Sequence, residues 1–319
     1  MSKEKIKNSI WVILFEGIKI YFTNMDKFFV YMLFPVFGQI IGIGLTFALT
    51  LGFADRVAQK TDSVSSSLLL IILLALPGLL VFMKAFWDYM VAYVSLNSMT
   101  EGAITTGRVY DFQSHNQVAT KRSFKYISLL LAVGILSLSA VFCCIIPIFG
   151  LIPPLILWIY FILVFQVFTF EDDLSVKECF KKSFELIKGD WGRTFLLMFL
   201  LAFFSVYIIT EGTTVIFDYL RLTDVLASKF DFIGNAMPLD FMNKALAYAN
   251  VKYKITVNYI SLMVFTSLLC LIVTELTLPV RSICYTLWYK NLSAIKDNKI
   301  QNEKVKKYRK KLKKDKSEE

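Results

Sequence analysis

Residues 28–51 of the chain read FFVYMLFPVFGQIIGIGLTFALTL, a stretch without one charged side chain. A helix that crosses a bilayer needs about 20 apolar residues, because the hydrocarbon is about 30 Å thick and each helical residue rises about 1.5 Å. The whole sequence of 319 residues shares this character, since 56% of its residues are hydrophobic and 15% are aromatic. Soluble chains average roughly 45–50% apolar residues, so the composition argues against a water-soluble fold.

Five further apolar stretches meet the same length criterion, at about 66–88, 126–147, 151–170, 192–209 and 257–278. They do not alternate apolar and polar residues as the strands of a membrane barrel do. We therefore expect an all-α fold, a six-transmembrane-helix bundle over residues 1–290. Residues 211–252 should form an outer loop with short helices, and residues 291–319 a basic tail. The third and fourth spans should turn at Ile148-Phe149-Gly150.

Positive charge is distributed unevenly between the two sides of this bundle. The N-terminal segment, the loops before the third and fifth spans and residues 290–316 hold most of the 35 Lys and Arg residues, and the net charge is +10. The opposite side holds Arg56, Lys60, Arg221, Lys229, Lys244, Lys252 and Lys254. Because cytoplasmic loops carry the excess of Lys and Arg, we expect both termini in the cytoplasm. The basic tail then faces an anionic leaflet, which favours lipid over nucleic acid as its partner.

A similar seven-residue pattern occurs before the third and before the fifth span. Residues 121–127 read KRSFKYI, and residues 181–187 read KKSFELI. In the second copy, Ser175 and Glu178 have the spacing of a capping box that opens a helix, and Gly189 is placed to close it. One face of this helix should be apolar, through Val176, Phe180, Phe184 and Ile187. Such a profile is typical of an amphipathic helix that lies in the membrane interface.

The pattern predicts a surface that engages anionic lipid headgroups of the inner leaflet. The basic residues expected to bind them are Lys121, Arg122, Lys177, Lys181, Lys182 and Lys188. The segment before the first span has an apolar stripe that includes Ile10, Ile13 and Leu14. Its sequence does not decide whether this segment is a third, more degenerate copy of the pattern. On this interpretation the protein is non-catalytic, and it is a membrane-organising or lipid-associated factor.

Charged residues also recur near one end of the even-numbered spans. Asp88, Glu171 and Glu275 lie where these spans reach the expected cytoplasmic boundary, and Lys84 and Arg281 are close to them in sequence. Charges within spans often mark transport pathways, so these five could form a polar cluster for a headgroup or a solute. Alternatively they snorkel from helix ends into water at little cost. The first interpretation supports an alternative function, that of a transporter or lipid-moving protein.

Groups suited to catalysis are scarce. The five cysteines lie mostly in apolar runs, which indicates packing residues rather than a disulfide framework. His115 is the single histidine, and its polar surroundings predict a solvated loop side chain. These counts exclude most metal enzymes and histidine-dependent triads, so we expect no catalytic site, no metal and no cofactor. Gly38 and Gly42 have the G-x-x-x-G spacing that permits close contact between membrane helices.

Two segments carry a resemblance to a known family. Residues 168–189 read FTFEDDLSVKECFKKSFELIKG and precede Trp191, and Leu278-Pro279 leads to the aromatic run YTLWYKNL at 285–292. These motifs resemble the membrane domain of bacterial glycerophosphoryl diester phosphodiesterases, in which an acidic turn, a basic helix and a Lys-Gly end precede a span that starts with Trp. Cys179 departs from the small Ala usual in that family, and the outer segment is longer.

The resemblance implies a multi-pass protein of the bacterial plasma membrane with the six-span plan described above. The 319 residues include no phosphodiesterase domain, so hydrolysis is not carried over. A role as an enzyme subunit that acts on glycerophospholipid products rests on the family analogy alone. Protein partners, the lipid species and the oligomeric state are not indicated by any motif.

Overall fold

The computed structural model describes residues 9–53, 64–109, 111–143, 150, 152–248, 250 and 252–315, except for the side chains at 64, 206, 300 and 302–315. The described residues form helices and connections without any strand, so the all-α prediction is confirmed. The described residues do not include positions 148 and 149 of the predicted turn, the lysines at positions 3, 5 and 7, or Arg56 and Lys60.

The helices of the first part of the chain follow in the order α1 (Ile10–Thr23), α2 (Met25–Gly52), α3 (Val64–Thr106), α4 (Phe112–Thr120), α5 (Ser123–Cys143), α6 (Ile152–Phe161), α7 (Val164–Phe170) and α8 (Val176–Ile187). The second part contains α9 (Trp191–Ala202), a π-helical segment (Phe203–Ile208), α10 (Ile209–Tyr219), α11 (Leu222–Ala227), a 3-10 turn (Ser228–Phe230), α12 (Asp231–Ala236), α13 (Leu239–Tyr248), α14 (Val257–Leu276) and α15 (Leu278–Asp315).

Six helical segments of the described chain are long and apolar enough to cross a membrane. They are Met25–Gly52, Ser65–Thr106, Ser123–Cys143, Ile152–Phe170, Trp191–Tyr219 and Val257–Lys299. Each of the six predicted spans corresponds to one of these segments, so the fold is that of a multi-pass membrane protein.

Helix α3 is much longer than the span expected at 66–88. Its 43 residues correspond to about 65 Å of helix, roughly twice the thickness of the hydrocarbon. The apolar side chains between Leu68 and Phe86 are largely exposed, as expected on a lipid-facing surface, whereas those between Val91 and Thr100 are almost all buried. The helix therefore continues because its second half is covered by other parts of the protein.

Helix α15 likewise extends beyond the expected boundary of the membrane domain. Helix α14 ends at Leu276, and α15 begins at Leu278 and continues to Asp315, through most of the predicted tail. Pro279 lies in the first turn of α15, where its missing N–H has no helical partner to lose. The proline therefore starts a new helix immediately after the old one.

The chain divides into two compact units. The first unit comprises Met1–Phe28, Val91–Phe199 and Pro279–Glu319, and the second comprises Phe29–Met90 and Leu200–Leu278. The largest fully buried side chains of the first unit include Trp288, Tyr126 and Phe168. The Nε1 of Trp288 donates a hydrogen bond of 3.0 Å to the Thr194 hydroxyl, which joins α15 to α9 inside this unit.

In the second unit, α2 and α3 approach each other closely at glycine residues. A Cβ atom added to Gly38 would lie 2.7 Å from the Cβ of Ala85, and one added to Gly42 would lie 2.5 Å from the backbone N of Phe82. Real Cβ atoms do not come so near, so only glycine permits this helix contact. The close contact that the G-x-x-x-G spacing permits is therefore present between α2 and α3.

The outer segment packs on α14 differently from the prediction. Ala227, Phe265 and Leu269 form a buried cluster in the second unit, with Phe217 and Phe230 packed against it. The spacing of Val215, Tyr219, Leu222 and Leu226 in the sequence predicts that these residues share one apolar helical face. This prediction is wrong, because Arg221 adopts a left-handed conformation with φ of 55° and separates α10 from α11, and because Val215 and Tyr219 are exposed.

Candidate lipid-binding surface and buried polar clusters

Helix α8 begins at the capping box that the sequence predicts. The backbone N–H of Ser175 donates to Oε2 of Glu178 over 2.8 Å, and the backbone N–H of Glu178 donates to the Ser175 hydroxyl over 3.4 Å. The side-chain hydrogen bond from Ser175 lowers the pKa of the Glu178 carboxyl, because it stabilises the charged form. Gly189 follows the helix with φ of +95°, a conformation that favours glycine, so both predicted ends of α8 are confirmed.

The buried face of α8 is rotated from the face that the sequence predicts. Its buried residues are Cys179, Ser183, Leu186 and Ile187, whereas Phe184 is 40% exposed. The hydroxyl of Ser183 donates a hydrogen bond of 2.8 Å to the backbone oxygen of Tyr160 in α6, which anchors this face. Cys179 is fully buried, as is typical of a packing residue, and this burial raises the pKa of its thiol.

Aromatic contacts connect the partly exposed side of α8 to α6. The ring centroids of Phe184 and Tyr160 are 4.5 Å apart, and those of Phe180 and Phe161 are 5.0 Å apart. The apolar residues that the sequence assigns to lipid therefore also hold the helix on the protein. Phe184 keeps part of its ring exposed while it makes this contact.

We call Lys177, Lys181 and Lys188 the basic strip of α8. Lys177 and Lys181 lie on one side of the helix, opposite the buried face, Lys188 follows the last helical residue on the same side, and all three are exposed. Phe184 lies one turn from Lys181 and from Lys188, so an exposed aromatic ring borders the basic strip. The strip therefore presents three exposed lysines with an apolar edge, next to the exposed carboxylates of Glu178 and Glu185, and the packing of the opposite face holds it in place.

Lys182 is oriented differently from the basic strip. Its Nζ lies 3.5 Å from Oε1 of Glu171, and the same carboxylate oxygen accepts a hydrogen bond of 3.0 Å from the hydroxyl of Tyr289. Glu171, which the sequence assigns to the polar cluster, therefore binds Lys182 of α8 and Tyr289 of α15 within the first unit.

Arg122 is likewise engaged inside the first unit. Its Nη1 lies 3.0 Å from Oδ1 of Asp172, and its guanidinium lies 4.4 Å from the ring centroid of Phe168. The Nζ of Lys125 donates a hydrogen bond of 2.8 Å to the backbone oxygen of Asp172. These contacts join the start of α5 to the end of α7. Lys121, by contrast, is exposed and lies near the same end of the unit.

The two copies of the seven-residue pattern have different local structures. Residues 181–187 lie inside α8, whereas Lys121 and Arg122 form a turn and Ser123 already starts the long helix α5. The first copy is therefore the beginning of a span rather than an interfacial helix. Helix α1, before the first span, does bury Ile10, Ile13 and Leu14, and its other side exposes Trp11, Phe15, Ile18 and Phe22.

The five residues of the predicted polar cluster are divided between the two units. Lys84 and Asp88 are brought together, with Nζ 2.6 Å from each carboxylate oxygen. Glu275 is 4% exposed and accepts hydrogen bonds of 3.0 and 3.1 Å from Nε2 of Gln39, within the second unit. Arg281 is half-buried in the second turn of α15, next to Ser282. Gln39, a polar residue within the charge-free first span, is the partner that the sequence interpretation missed.

A second buried polar group, centred on Asn97, was also missed. Its Oδ1 accepts hydrogen bonds from Gln166 at 3.2 Å, from Ser282 at 2.6 Å and from Thr286 at 3.2 Å. Its Nδ2 donates to the hydroxyl of Thr169 at 3.1 Å, and all five side chains are buried. Asn97 therefore joins α3, α7 and α15. The polar residues at 95–100 were the available signal, but the expected end of the span at 88 assigned them to a loop.

His115 is not the solvated loop residue that the sequence predicts. It lies in α4, is 5% exposed, and its Nδ1 is 2.9 Å from the hydroxyl of Ser98. Burial lowers the pKa of His115, and the charge of Asp111 partly opposes this effect. The expectation was wrong because α4 packs beside the extended half of α3, which the sequence did not reveal.

Among the residues that the structure describes, no group of three or more His, Cys, Asp or Glu side chains is arranged to hold a metal ion. No family model matches the chain, and neither a curated protein nor a solved structure matches it. The fold therefore defines the class of the protein, which is an all-α multi-pass membrane protein.

Proposed function

We propose that the chain is a non-catalytic, lipid-associated protein of the bacterial plasma membrane that engages anionic headgroups through the basic strip of α8. The proposal includes cytoplasmic termini, as the distribution of Lys and Arg predicts. It also includes kinship with the membrane domain of glycerophosphoryl diester phosphodiesterases, which rests on the motifs of residues 168–189 and 285–292.

One observation carries the proposal. The buried face of α8 is packed on α6 and α7, and this packing directs Lys177, Lys181 and Lys188 away from the protein, beside the partly exposed ring of Phe184. An aromatic ring that borders lysines suits the interface between acyl chains and headgroups. Because the helix is held in this orientation, binding a headgroup orders the lysine side chains but does not have to order the backbone.

The six residues predicted to bind headgroups divide into two groups. Lys121, Lys177, Lys181 and Lys188 are exposed, which supports a role in binding. Arg122 and Lys182 are paired with Asp172 and Glu171, so we now propose that these two bases hold the surface in shape. An exposed base near an anionic membrane contributes about 1 kcal/mol of attraction, and salt weakens it.

The alternative function, transport, would require Glu275 to reach water. The burial of this carboxyl and its two hydrogen bonds to Gln39 support a closed, packed second unit instead. We therefore favour the lipid-associated function over the transporter.

Native mass spectrometry of the purified full-length chain tests the proposal. Titration with dioctanoyl phosphatidylglycerol should show tighter binding than titration with dioctanoyl phosphatidylcholine. A Lys177→Gln/Lys181→Gln/Lys188→Gln variant should weaken the binding of phosphatidylglycerol by about a hundredfold, since three charges at about 1 kcal/mol each are removed.

The matched control is Lys229→Gln/Lys244→Gln/Lys252→Gln, which removes three exposed lysines of the outer segment. This control should leave the affinity for phosphatidylglycerol within about twofold of the original chain, because its lysines lie outside the proposed surface. Equal losses in the two variants would show that net charge alone governs binding, and the proposal would then be wrong.

A further inference from the structure

A groove runs between α2 and α3 on the surface of the second unit. It has a volume of about 460 Å³ and is lined by Phe34, Phe37, Gly38, Ile41, Leu80, Val81, Lys84 and Ala85. The small residues Gly38 and Ala85 meet at its floor, and this close helix contact produces the concavity. Pockets for small molecules commonly have volumes of about 300–1,000 Å³, so the groove is large enough for part of a lipid.

The walls of the groove are apolar and exposed. Phe34, Ile41 and Leu80 are among the most exposed large side chains of α2 and α3, and both helices are long enough to span the membrane. A concave apolar surface at this position faces the hydrocarbon, where an acyl chain is the molecule available to fill it. Its shape therefore specifies the apolar part of the occupant.

One end of the groove is polar. The Nζ of Lys84 lies 2.6 Å from the carboxylate oxygens of Asp88 and 5.7 Å from the ring centroid of Phe34. The Lys84 side chain is 65% exposed and that of Asp88 is 26% exposed, so both remain within reach of a ligand. A lysine ammonium supplies hydrogen-bond donors only, and an ionised aspartate supplies acceptors only.

The charges of Lys84 and Asp88 specify the headgroup. Because the two charges cancel, the pair offers little net attraction to a purely anionic lipid. A headgroup with both a phosphate and a primary ammonium matches the pair group for group, since the phosphate can accept from Lys84 and the ammonium can donate to Asp88. We propose that this groove binds a phospholipid of this kind, a phosphatidylethanolamine, with one acyl chain along Phe37, Ile41 and Val81.

This site is separate from the basic strip of α8 in its residues and in its lipid. The basic strip lies in the first unit and is proposed to bind anionic lipid, whereas the groove is formed by residues of the second unit alone. Loss of either function leaves the other testable, because the two sites share no side chain.

The test compares lipids with identical acyl chains on the delipidated full-length protein, by native mass spectrometry. The basic strip is neutralised throughout as Lys177→Gln/Lys181→Gln/Lys188→Gln, so that the groove is observed alone. We expect dioleoyl phosphatidylethanolamine to bind about tenfold more tightly than dioleoyl phosphatidylglycerol. Dioleoyl phosphatidylethanolamine should also bind more tightly than dioleoyl phosphatidylcholine by a similar factor, because a trimethylammonium has no N–H to donate.

Two substitutions should affect lipid binding in different ways. Asp88→Asn leaves the charge of Lys84 uncancelled, so the ratio of phosphatidylethanolamine to phosphatidylglycerol binding should fall by about tenfold or reverse. Lys84→Gln should weaken the binding of both lipids. Stronger binding of phosphatidylglycerol to the parent, or an unchanged ratio in Asp88→Asn, would overturn the proposal.

A third variant tests the groove itself. Ile41→Trp places a large ring in the groove from an exposed position, and Leu131→Trp makes a comparable change on the exposed side of α5. We expect phosphatidylethanolamine binding to be lost in Ile41→Trp and retained in Leu131→Trp. Folding is checked for each variant by its melting temperature. Full binding in a folded Ile41→Trp variant would show that the groove is not the site.

Discussion

Replacement of Asn97 by leucine should destabilise the first unit more than its small change in volume suggests. Asn97 makes four hydrogen bonds to buried side chains of α7 and α15. Hydrogen bonds between membrane helices contribute about 0.6 kcal/mol each on average. Leucine also leaves the buried amide of Gln166 without its acceptor, which costs about 1–3 kcal/mol. The substitution should therefore reduce the free energy of unfolding by about 3–5 kcal/mol.

The assay is unfolding of the purified protein in mixed micelles by titration with sodium dodecyl sulfate, followed by tryptophan fluorescence. Four of the five tryptophans, among them the fully buried Trp288, belong to the same unit, so the emission reports mainly on the region that is changed. Thr286→Val, which removes one of the four bonds, provides a graded comparison and should cost about 0.6 kcal/mol. Asn258→Leu, at an exposed position of α14, controls for the loss of an amide from a helix surface.

The order of the three variants decides the matter. Asn97→Leu should cost most, Thr286→Val less, and Asn258→Leu almost nothing. If Asn97→Leu and Asn258→Leu unfold at the same detergent fraction, the hydrogen bonds of Asn97 do not stabilise the unit and the reasoning is refuted.

Three further predictions concern other parts of the chain. Gly42→Leu should lower the melting temperature strongly, because its Cβ would overlap the backbone of Phe82, whereas Gly44→Leu should be tolerated, because no atom lies within 4 Å of a Cβ there; similar losses in both variants would contradict the close contact. Burial lowers the pKa of His115, so its contribution to stability should be complete above its ordinary pKa of 6.5 and be lost as the pH falls through the lowered value; a melting temperature measured against pH should show this loss, and His115→Gln should flatten it. A cysteine beside Lys310, in a chain without other cysteines, should be protected in intact cells from a reagent that cannot cross the membrane, and its modification would overturn the proposed topology.

Much of the fold was predictable because its signals are local. The charge-free run at 28–51 and the five other apolar stretches all fall within or near the range of about 17–25 residues needed to cross the hydrocarbon, whatever their neighbours are. The start of α8 was predictable for a similar reason, since Ser175 and Glu178 are three residues apart and satisfy each other's backbone. The glycine contact at Gly38 and Gly42 also has a sequence signature.

The ends of the long helices were not predictable in this way. The polar residues after Asp88 indicated an exit from the membrane, and α3 nevertheless continues to Thr106. The reason is that Asn97 and its neighbours find partners on α7 and α15, between 69 and 189 residues away along the chain. A polar side chain in a helix therefore indicates an exit from the membrane only when it has no buried partner elsewhere in the chain.

The sequence by itself determined the class of the protein and the number of its segments long and apolar enough to span a membrane, and it predicts an excess of positive charge on one side. These properties depend on the length and composition of short stretches. The thickness of the hydrocarbon sets the length that a span needs, and the Lys and Arg content of the loops sets the orientation. Only the tertiary structure decided which side of α8 is buried, that Arg122 and Lys182 are engaged in ion pairs, and that Lys84, which is paired with Asp88, lines an apolar groove. These features depend on contacts between residues far apart in the chain or on different helices, and packing rather than local pattern selects them.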